Sequence, residues 1–399
     1  MTTDARTPDI EAIRRKLSSD GLDAWLFYDF RGLDPISLKV LKFPPESIAT
    51  RRWFYLLPAR GEPVKICHRI EANALDHLPG RVVLYSGWKE LHAHLERILK
   101  DARRLAMQYS PRNAIPYVSR VDAGTLEVIR SCGVEVVSSA DLVQAFEAVM
   151  TPRQVETHYE AAVMLRKAVD MTFQEVRRRV TGGVPTTEYD IQCFLMDHFT
   201  KGGFVADHPP IVAVNEHAGQ PHYSPAPEGS SPIKRGDLLL IDIWAKRNTP
   251  EAIYADITWT TYIDTEVPAR HRQVFDAVRG GRDAAIEFVQ KAIAAGEPVQ
   301  GWQVDDAARD HIAGLGFGEN FTHRTGHNLG YEVHGNGAHL DHLETIDERR
   351  IIPSTAFTIE PGVYLPEFGI RSEVNLYVDG DEAVITGPPI QTTLAPLLA

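Results

Sequence analysis

Four carboxylates sit inside apolar runs that otherwise read as β-strand, and this limits what the chain can fold into more than any other feature. They are Asp242 in LLLIDIW, Asp256 in IYADITW, Glu360 in FTIEPGVY and Glu373 in GIRSEVNLYV. A fifth potential ligand, His327, lies in the glycine-flanked segment HRTGHNLG. A carboxylate buried in a strand is costly unless a cation or a hydrogen-bond network compensates it. A fold that buries all of these acids needs positive charge in the same place, and a pair of divalent metal ions would supply it. Oxygen-rich ligation with one imidazole suits Mn²⁺, Co²⁺, Fe²⁺ or Zn²⁺. The residues alone do not choose among them.

Spacing adds a second constraint. Asp242 and Asp256 are equidistant from residue 249, inside the turn-like Arg247-Asn248-Thr249-Pro250. A hairpin about that turn would set the two aspartates directly opposite one another, with Cβ atoms roughly 4.5–5.5 Å apart. Glu360 and Glu373 repeat the arrangement about Pro366 and Glu367, with Gly369 to release the chain. Period-two alternation places Leu238, Leu240, Asp242 and Trp244 on one face, and Tyr254, Asp256, Thr258 and Thr260 on the equivalent face of the next strand. Like charges at that range repel, and cations between them would reverse the sign of the interaction.

At 399 residues two domains are expected. The balance of 42 basic against 54 acidic residues, a net charge of −12, argues against nucleic acid or an anionic membrane as a partner. Cys67, Cys132 and Cys193 are scattered without metal or redox spacing, which implies reduced thiols in a cytoplasmic protein. The first residues read as a polar tail entering a helix, and no apolar run has the length of a membrane span.

Within a first domain of residues 1–150, residues 9–146 alternate short apolar runs (AWLFYD, RWFYLLP, EPVKIC, RVVLY, RLAMQY, VEVVS) with helical patterns near 9–20, 87–100, 119–131 and 139–149. That order predicts a small α/β domain. Thr151-Pro152 suits a boundary with a helix N-terminus, Thr151 as cap and Pro152 at the first position. The second domain, 151–399, opens with helices expected at about 152–180 and 186–201. A Gly-, Pro- and His-rich loop around the strand IVAVN follows, and then the first acidic hairpin. Helices near 268–295 and 301–315 precede the second hairpin, so two helices and an acid-bearing hairpin occur twice. The six tryptophans read as core or interface residues. His208, His217, His339 and His342 read as surface or loop residues, and His323 as a neighbour of the site.

These residues, over roughly 152–390, resemble the pita-bread metallopeptidases: Xaa-Pro aminopeptidases, Xaa-Pro dipeptidases, methionine aminopeptidases and the metal-free creatinases. The ligand types occur in family order and context, and an upstream α/β domain is similar to that of the proline-peptidase and creatinase branch. The resemblance implies an α+β fold, with a C-terminal pita-bread domain and an N-terminal α/β creatinase-like domain. It implies a metallopeptidase that hydrolyses the Xaa-Pro bond at the N-terminus of short peptides or dipeptides, through a hydroxide bridging two divalent ions, Mn²⁺ foremost. Asp242 would chelate one ion, His327 and Glu360 the other, and Asp256 and Glu373 would bridge them. Glu360 would shuttle protons. His222 would line the substrate pocket, His334 would stabilise the tetrahedral intermediate, and Arg371 would orient the carboxylates. A homodimer is implied as well.

Some positions depart from the family pattern. Gly335 follows His334 where an acid is usual, and Val374-Asn375 follows Glu373 where an acid is usual. They keep open a metal hydrolase of a non-peptide amide or ester on the same fold. A third reading is a non-catalytic pita-bread binding protein.

Overall fold

The computed structural model describes residues 7–44 and 49–399. Residues 1–6 of the expected polar tail lie outside them. The chain divides into two compact units, Met1–Glu147 and Ala148–Ala399.

All six apolar runs of the first unit are strands: β1 (Ala24–Asp29), β2 (Trp53–Pro58), β3 (Val64–His68), β4 (Arg81–Tyr85), β5 (Arg104–Met107) and β6 (Glu135–Ser138). They form one mixed sheet in the order β4-β3-β2-β1-β5-β6. Its helices are α1 (Ile10–Ser19), α2 (Pro35–Val40), α3 (Trp88–Leu99), α4 (Ala123–Ser131) and α5 (Ala140–Val143). β1 is apolar at successive positions because both its faces are covered. Trp25 and Phe27 pack with Ile13, Leu17 and Ile36, while Leu26 and Tyr28 pack with Leu91, Leu95 and Leu99. The short helix α2 was not anticipated. Its signal was present in Asp34-Pro35, where Asp34 caps the helix through Ser37 N and the proline opens it.

The second unit begins with α6 (Pro152–Thr181), whose Thr151 and Gln154 form a reciprocal capping box. Then come α7 (Glu188–Lys201), β7 (Phe204–Val205), β8 (Ile211–Val214), β9 (Leu238–Arg247) and β10 (Ala255–Tyr262). α8 (Ala269–Ala294) and α9 (Gly301–Gly314) precede β11 (Asn328–Leu329), β12 (Ala356–Ile359), β13 (Gly362–Tyr364), β14 (Gly369–Arg371), β15 (Val374–Asp379) and β16 (Glu382–Thr386). The repeated plan of two helices and a hairpin is therefore real.

Each hairpin sheet presents an apolar face to its own helices. Leu239, Ile241, Ile243, Ala255 and Ile257 pack with Ala161, Leu165, Val169 and Leu195 of α6 and α7. Phe357, Ile359, Val374, Leu376 and Val378 pack with Val274, Val278, Ala285 and Ile312 of α8 and α9. The opposite face of each sheet keeps the acids, as alternation demands.

β10 lies at the end of its sheet, and its outer edge meets the second hairpin through a seam that is not a regular ladder. Asp256 N donates to Asn375 Oδ1 (2.9 Å), and Glu373 N donates to Thr258 O (3.2 Å). The side-chain amide of Gln391 accepts from Thr260 N (3.0 Å) and donates to Thr260 O (2.6 Å).

Candidate metal centre

The first hairpin does not pair as the sequence suggested. Asp242 lies opposite Thr258, and Asp256 lies opposite Trp244. The axis falls one residue later than residue 249, because β10 starts only at Ala255 and the connection takes up the residues before it. A two-residue offset preserves parity, so both aspartates stay on the same face but as diagonal rather than direct neighbours. Tyr254 lies outside the strand. The second hairpin keeps its expected register. Ile359 pairs with Val374 in one ladder and Gly362 with Arg371 in the next, so both ladders share one axis. Glu360 and Glu373 stand opposite one another where the two ladders break.

His327 comes from the short strand segment beside β12. Its N–H is taken by Thr358 Oγ1 (3.0 Å), and its carbonyl accepts from Thr358 N (2.9 Å). This close approach requires Gly326, where an added Cβ would meet Thr358 O at 2.0 Å. Ligand-type atoms of Asp256, His327 and Glu373 all lie within 4.8 Å of one another, and all three residues are buried. His327 Nε2 is 3.2 Å from Glu360 Oε1 and 3.7 Å from Asp256 Oδ2. Asp242 is held by Arg371, whose Nη2 donates to Asp242 Oδ2, Nε to Thr258 Oγ1 (3.1 Å) and Nη1 to the Tyr364 hydroxyl (2.8 Å). Thr258 in turn donates to Glu373 Oε2 (2.8 Å), and Thr358 donates to Glu360 Oε1 (3.1 Å).

Three buried oxygens at this site accept no hydrogen bond among the described residues: Asp242 Oδ1, Asp256 Oδ1 and Glu373 Oε1. One orphaned oxygen on each of three neighbouring carboxylates is the pattern a hard cation satisfies, so the donor set fits divalent metal.

The electrostatics agree. Burial, reinforced by neighbouring carboxylates, raises Asp256 and Glu373 well above the ordinary acid range and lifts Glu360 to about 7. Burial, with His334 and Arg324 nearby, holds His327 well below its ordinary value, so its imidazole is neutral and has a lone pair to give. Arg371 stays charged although burial opposes it, because Tyr364, Asp242 and Glu360 surround it.

The other expected residues divide. The His334 ring lies 4.3 Å from that of His327, edge to face. Part of its surface is exposed, yet crowding around the ring and the Arg324 charge push it down to about 4. His222 is exposed on its loop, within electrostatic range of His334. His323 is joined to the site: its Nε2 meets the Tyr364 hydroxyl at 2.7 Å, which links it through Arg371 to Asp242. His339 is not a surface residue. It is fully buried, and its Nδ1 accepts from Asn328 N at 3.1 Å. His217 is partly buried against Glu188 (3.0 Å), while His208 is exposed. Sequence reasoning missed Tyr364, Thr258, Thr358 and Trp244 as parts of the site. Period two had already set Thr258 and Trp244 on the face of the acids without giving either a role; Thr358 lies two residues before Glu360 on its face, and Tyr364 carried no such signal.

The fold and this buried acid–histidine cluster define a pita-bread metallopeptidase of α+β architecture. The chain belongs to metallopeptidase family M24, whose model matches residues 156–380. It is similar to the probable dipeptidase PepE of Mycobacterium bovis, 26% identical over 335 residues, 82% of this chain and 81% of that protein. It is also similar to the Xaa-Pro dipeptidase of Lactobacillus delbrueckii subsp. lactis, 28% identical over 207 residues, 52% of this chain and only 50% of that protein. Among solved structures, the prolidase of Thermococcus sibiricus superposes with a TM-score of 0.65 at 20% identity, covering 98% of this chain and 100% of that one. Among the described residues no helix is long and apolar enough to cross a membrane.

Proposed function

We propose that the protein hydrolyses the Xaa-Pro bond at the N-terminus of short peptides or dipeptides, using two divalent ions held by Asp242, Asp256, His327, Glu360 and Glu373. The observation that carries this reading is the set of three buried, orphaned carboxylate oxygens on Asp242, Asp256 and Glu373, two of those acids grouped with a neutral imidazole. Kinship to an Xaa-Pro dipeptidase supports the substrate class.

Bound ions would polarise the scissile carbonyl and lower the pKa of the attacking water. The chain's residues do the rest. Glu360 is less buried than the other acids, and its Oε1 is engaged by Thr358, which leaves Oε2 to take the proton of the water and pass it to the leaving amine. His334, beside His327 and open to solvent, donates to the oxygen that gains charge as the carbonyl becomes tetrahedral. Arg371 fixes Asp242 and so keeps the ligand set in place. His222 borders the substrate at the mouth. Manganese as the native ion, a cytoplasmic location and a homodimer complete the proposal, with short peptides rather than nucleic acid or membranes as partners.

Elemental analysis of gently purified protein should find about two equivalents of transition metal per chain, lost in Asp256→Ala and in Glu373→Ala. The loaded protein should release proline or a prolyl peptide from Xaa-Pro substrates. Metal without cleavage of any Xaa-Pro bond would leave the centre standing and remove the substrate class.

A further inference from the structure

Beside the metal centre is a carboxylate that belongs to none of the roles above. On the acid-bearing face of β9, Trp244 follows Asp242 and stands directly opposite Asp256. Its indole Nε1 donates to Asp207 Oδ1 at 2.6 Å, and the backbone N–H of His208 donates to the same oxygen at 3.0 Å. Two donors thus fix the orientation of the carboxylate through Oδ1. The other oxygen, Oδ2, accepts no hydrogen bond among the described residues and lies 3.4 Å from Nδ1 of the exposed His208. The Asp207 side chain is 42% exposed, so Oδ2 is reachable from solvent. Its negative charge is felt at His334, so the two groups lie within electrostatic range of one another. Next to it, Ile211, Ala213, Leu240, Tyr223 and Trp244 form one apolar cluster.

We propose that Asp207, aimed by the Trp244 indole, is a subsite for a positively charged nitrogen of the substrate. The proposal rests on the peptidase reading above and specifies which peptides that site favours. Asp207 is not one of the acids assigned to the centre, and the charged-type group beside its Oδ2 is the exposed His208 ring. An oriented carboxylate with one open oxygen forms a charge-assisted hydrogen bond to an ammonium or guanidinium. The half-buried rings of Trp244 and Tyr223, at the edge of that cluster, suit the aliphatic stem of such a group. Two sources offer the same chemistry: the free α-amine of the N-terminal residue, and the side chain of an N-terminal lysine or arginine.

The test compares wild type with Asp207→Asn, which keeps an acceptor for the Trp244 indole and removes only the charge. Both carry wild-type metal content and unfolding temperature if the substitution is structurally silent, and Asp207→Ser serves as the alternative if it is not. Kinetics are measured on Lys-Pro, Met-Pro and their Nα-blocked forms. Binding of L-lysine, L-norleucine and Nα-acetyl-L-lysine to the loaded protein is measured by calorimetry, which needs no turnover. In the variant, the preference in kcat/KM for the cationic member of the relevant pair should fall about tenfold, mostly through KM. Loss confined to lysine and Nα-acetyl-lysine identifies the side chain as the ligand. Equal loss for lysine and norleucine identifies the α-amine. Unchanged preference and unchanged binding of all three probes would overturn the subsite while wild-type cleavage upheld the peptidase. Absence of Xaa-Pro cleavage by wild type, with binding still weakened in the variant, would remove the peptidase reading and keep the subsite.

Discussion

At the scale of single residues, the site has a layer of proposed metal ligands and a layer that aims them, and the two differ in how clearly the sequence announces them. Asp242, Asp256, Glu360 and Glu373 were legible because an acid within an apolar strand run is anomalous on energetic grounds. Thr258, Thr358 and Tyr364 were not, because threonine and tyrosine are ordinary strand residues and only their partners reveal a role. Tyr364 takes a hydrogen bond from Arg371 (2.8 Å) and meets His323 at 2.7 Å, and burial pushes its hydroxyl up to about 12. His323 is itself held at about 3, chiefly by burial and by the Arg371 charge, so it stays neutral and can serve as a hydrogen-bond partner. Tyr364→Phe leaves a buried guanidinium donor without its acceptor, which costs about 1.5–3 kcal/mol. Chemical denaturation of the metal-free variant should show a lower midpoint with an unchanged slope; an unaltered midpoint would mean the hydroxyl bears no structural burden.

At the scale of elements, alternation placed the acids on the correct faces, and the turn chemistry failed to fix the first register. The face depends only on parity, which any even slip preserves, whereas the pairing depends on a connection whose conformation is set by tertiary contacts. The second hairpin is nonetheless held to the histidine segment by a very close approach. It falls at Gly326, whose missing side chain is what lets His327 lie against Thr358. Gly326→Ala must push the histidine segment away from β12, at a cost of about 3 kcal/mol. It should lower the unfolding temperature and reduce metal binding together. A variant that binds metal normally would show that the segment yields without moving His327.

At the scale of the whole molecule, the concentration of acids in one place governs how stability responds to pH. Asp256, Glu373 and Glu360 are raised in the folded, metal-free protein, so the folded state holds protons more tightly than the unfolded chain. Their contribution is complete below the ordinary carboxylate pKa and is lost as pH climbs through each raised pKa, about 7 in the case of Glu360. His158 has the opposite sign. Fully buried between Tyr254 O and Thr386 Oγ1, it is lowered to about 4, so its contribution is present above the ordinary histidine value and fades on acidification. Metal favours the ionised carboxylates and leaves His158 untouched. The gap in unfolding temperature between loaded and metal-free protein should therefore widen from pH 5 to pH 7.5, as scanning calorimetry can record, and a constant gap would contradict the assignment of these acids to one centre. The seam between the hairpins bears on the molecule's behaviour in company as well. Regular strand pairing can be continued by any passing chain, so a bare outer strand in the place of β10 would invite strangers to add to it. Asn375 and Gln391 occupy its outward N–H and C=O groups with amides carried on side chains. An amide of that kind offers no further row of donors and acceptors beyond itself, and growth of the sheet from one molecule into the next stops there.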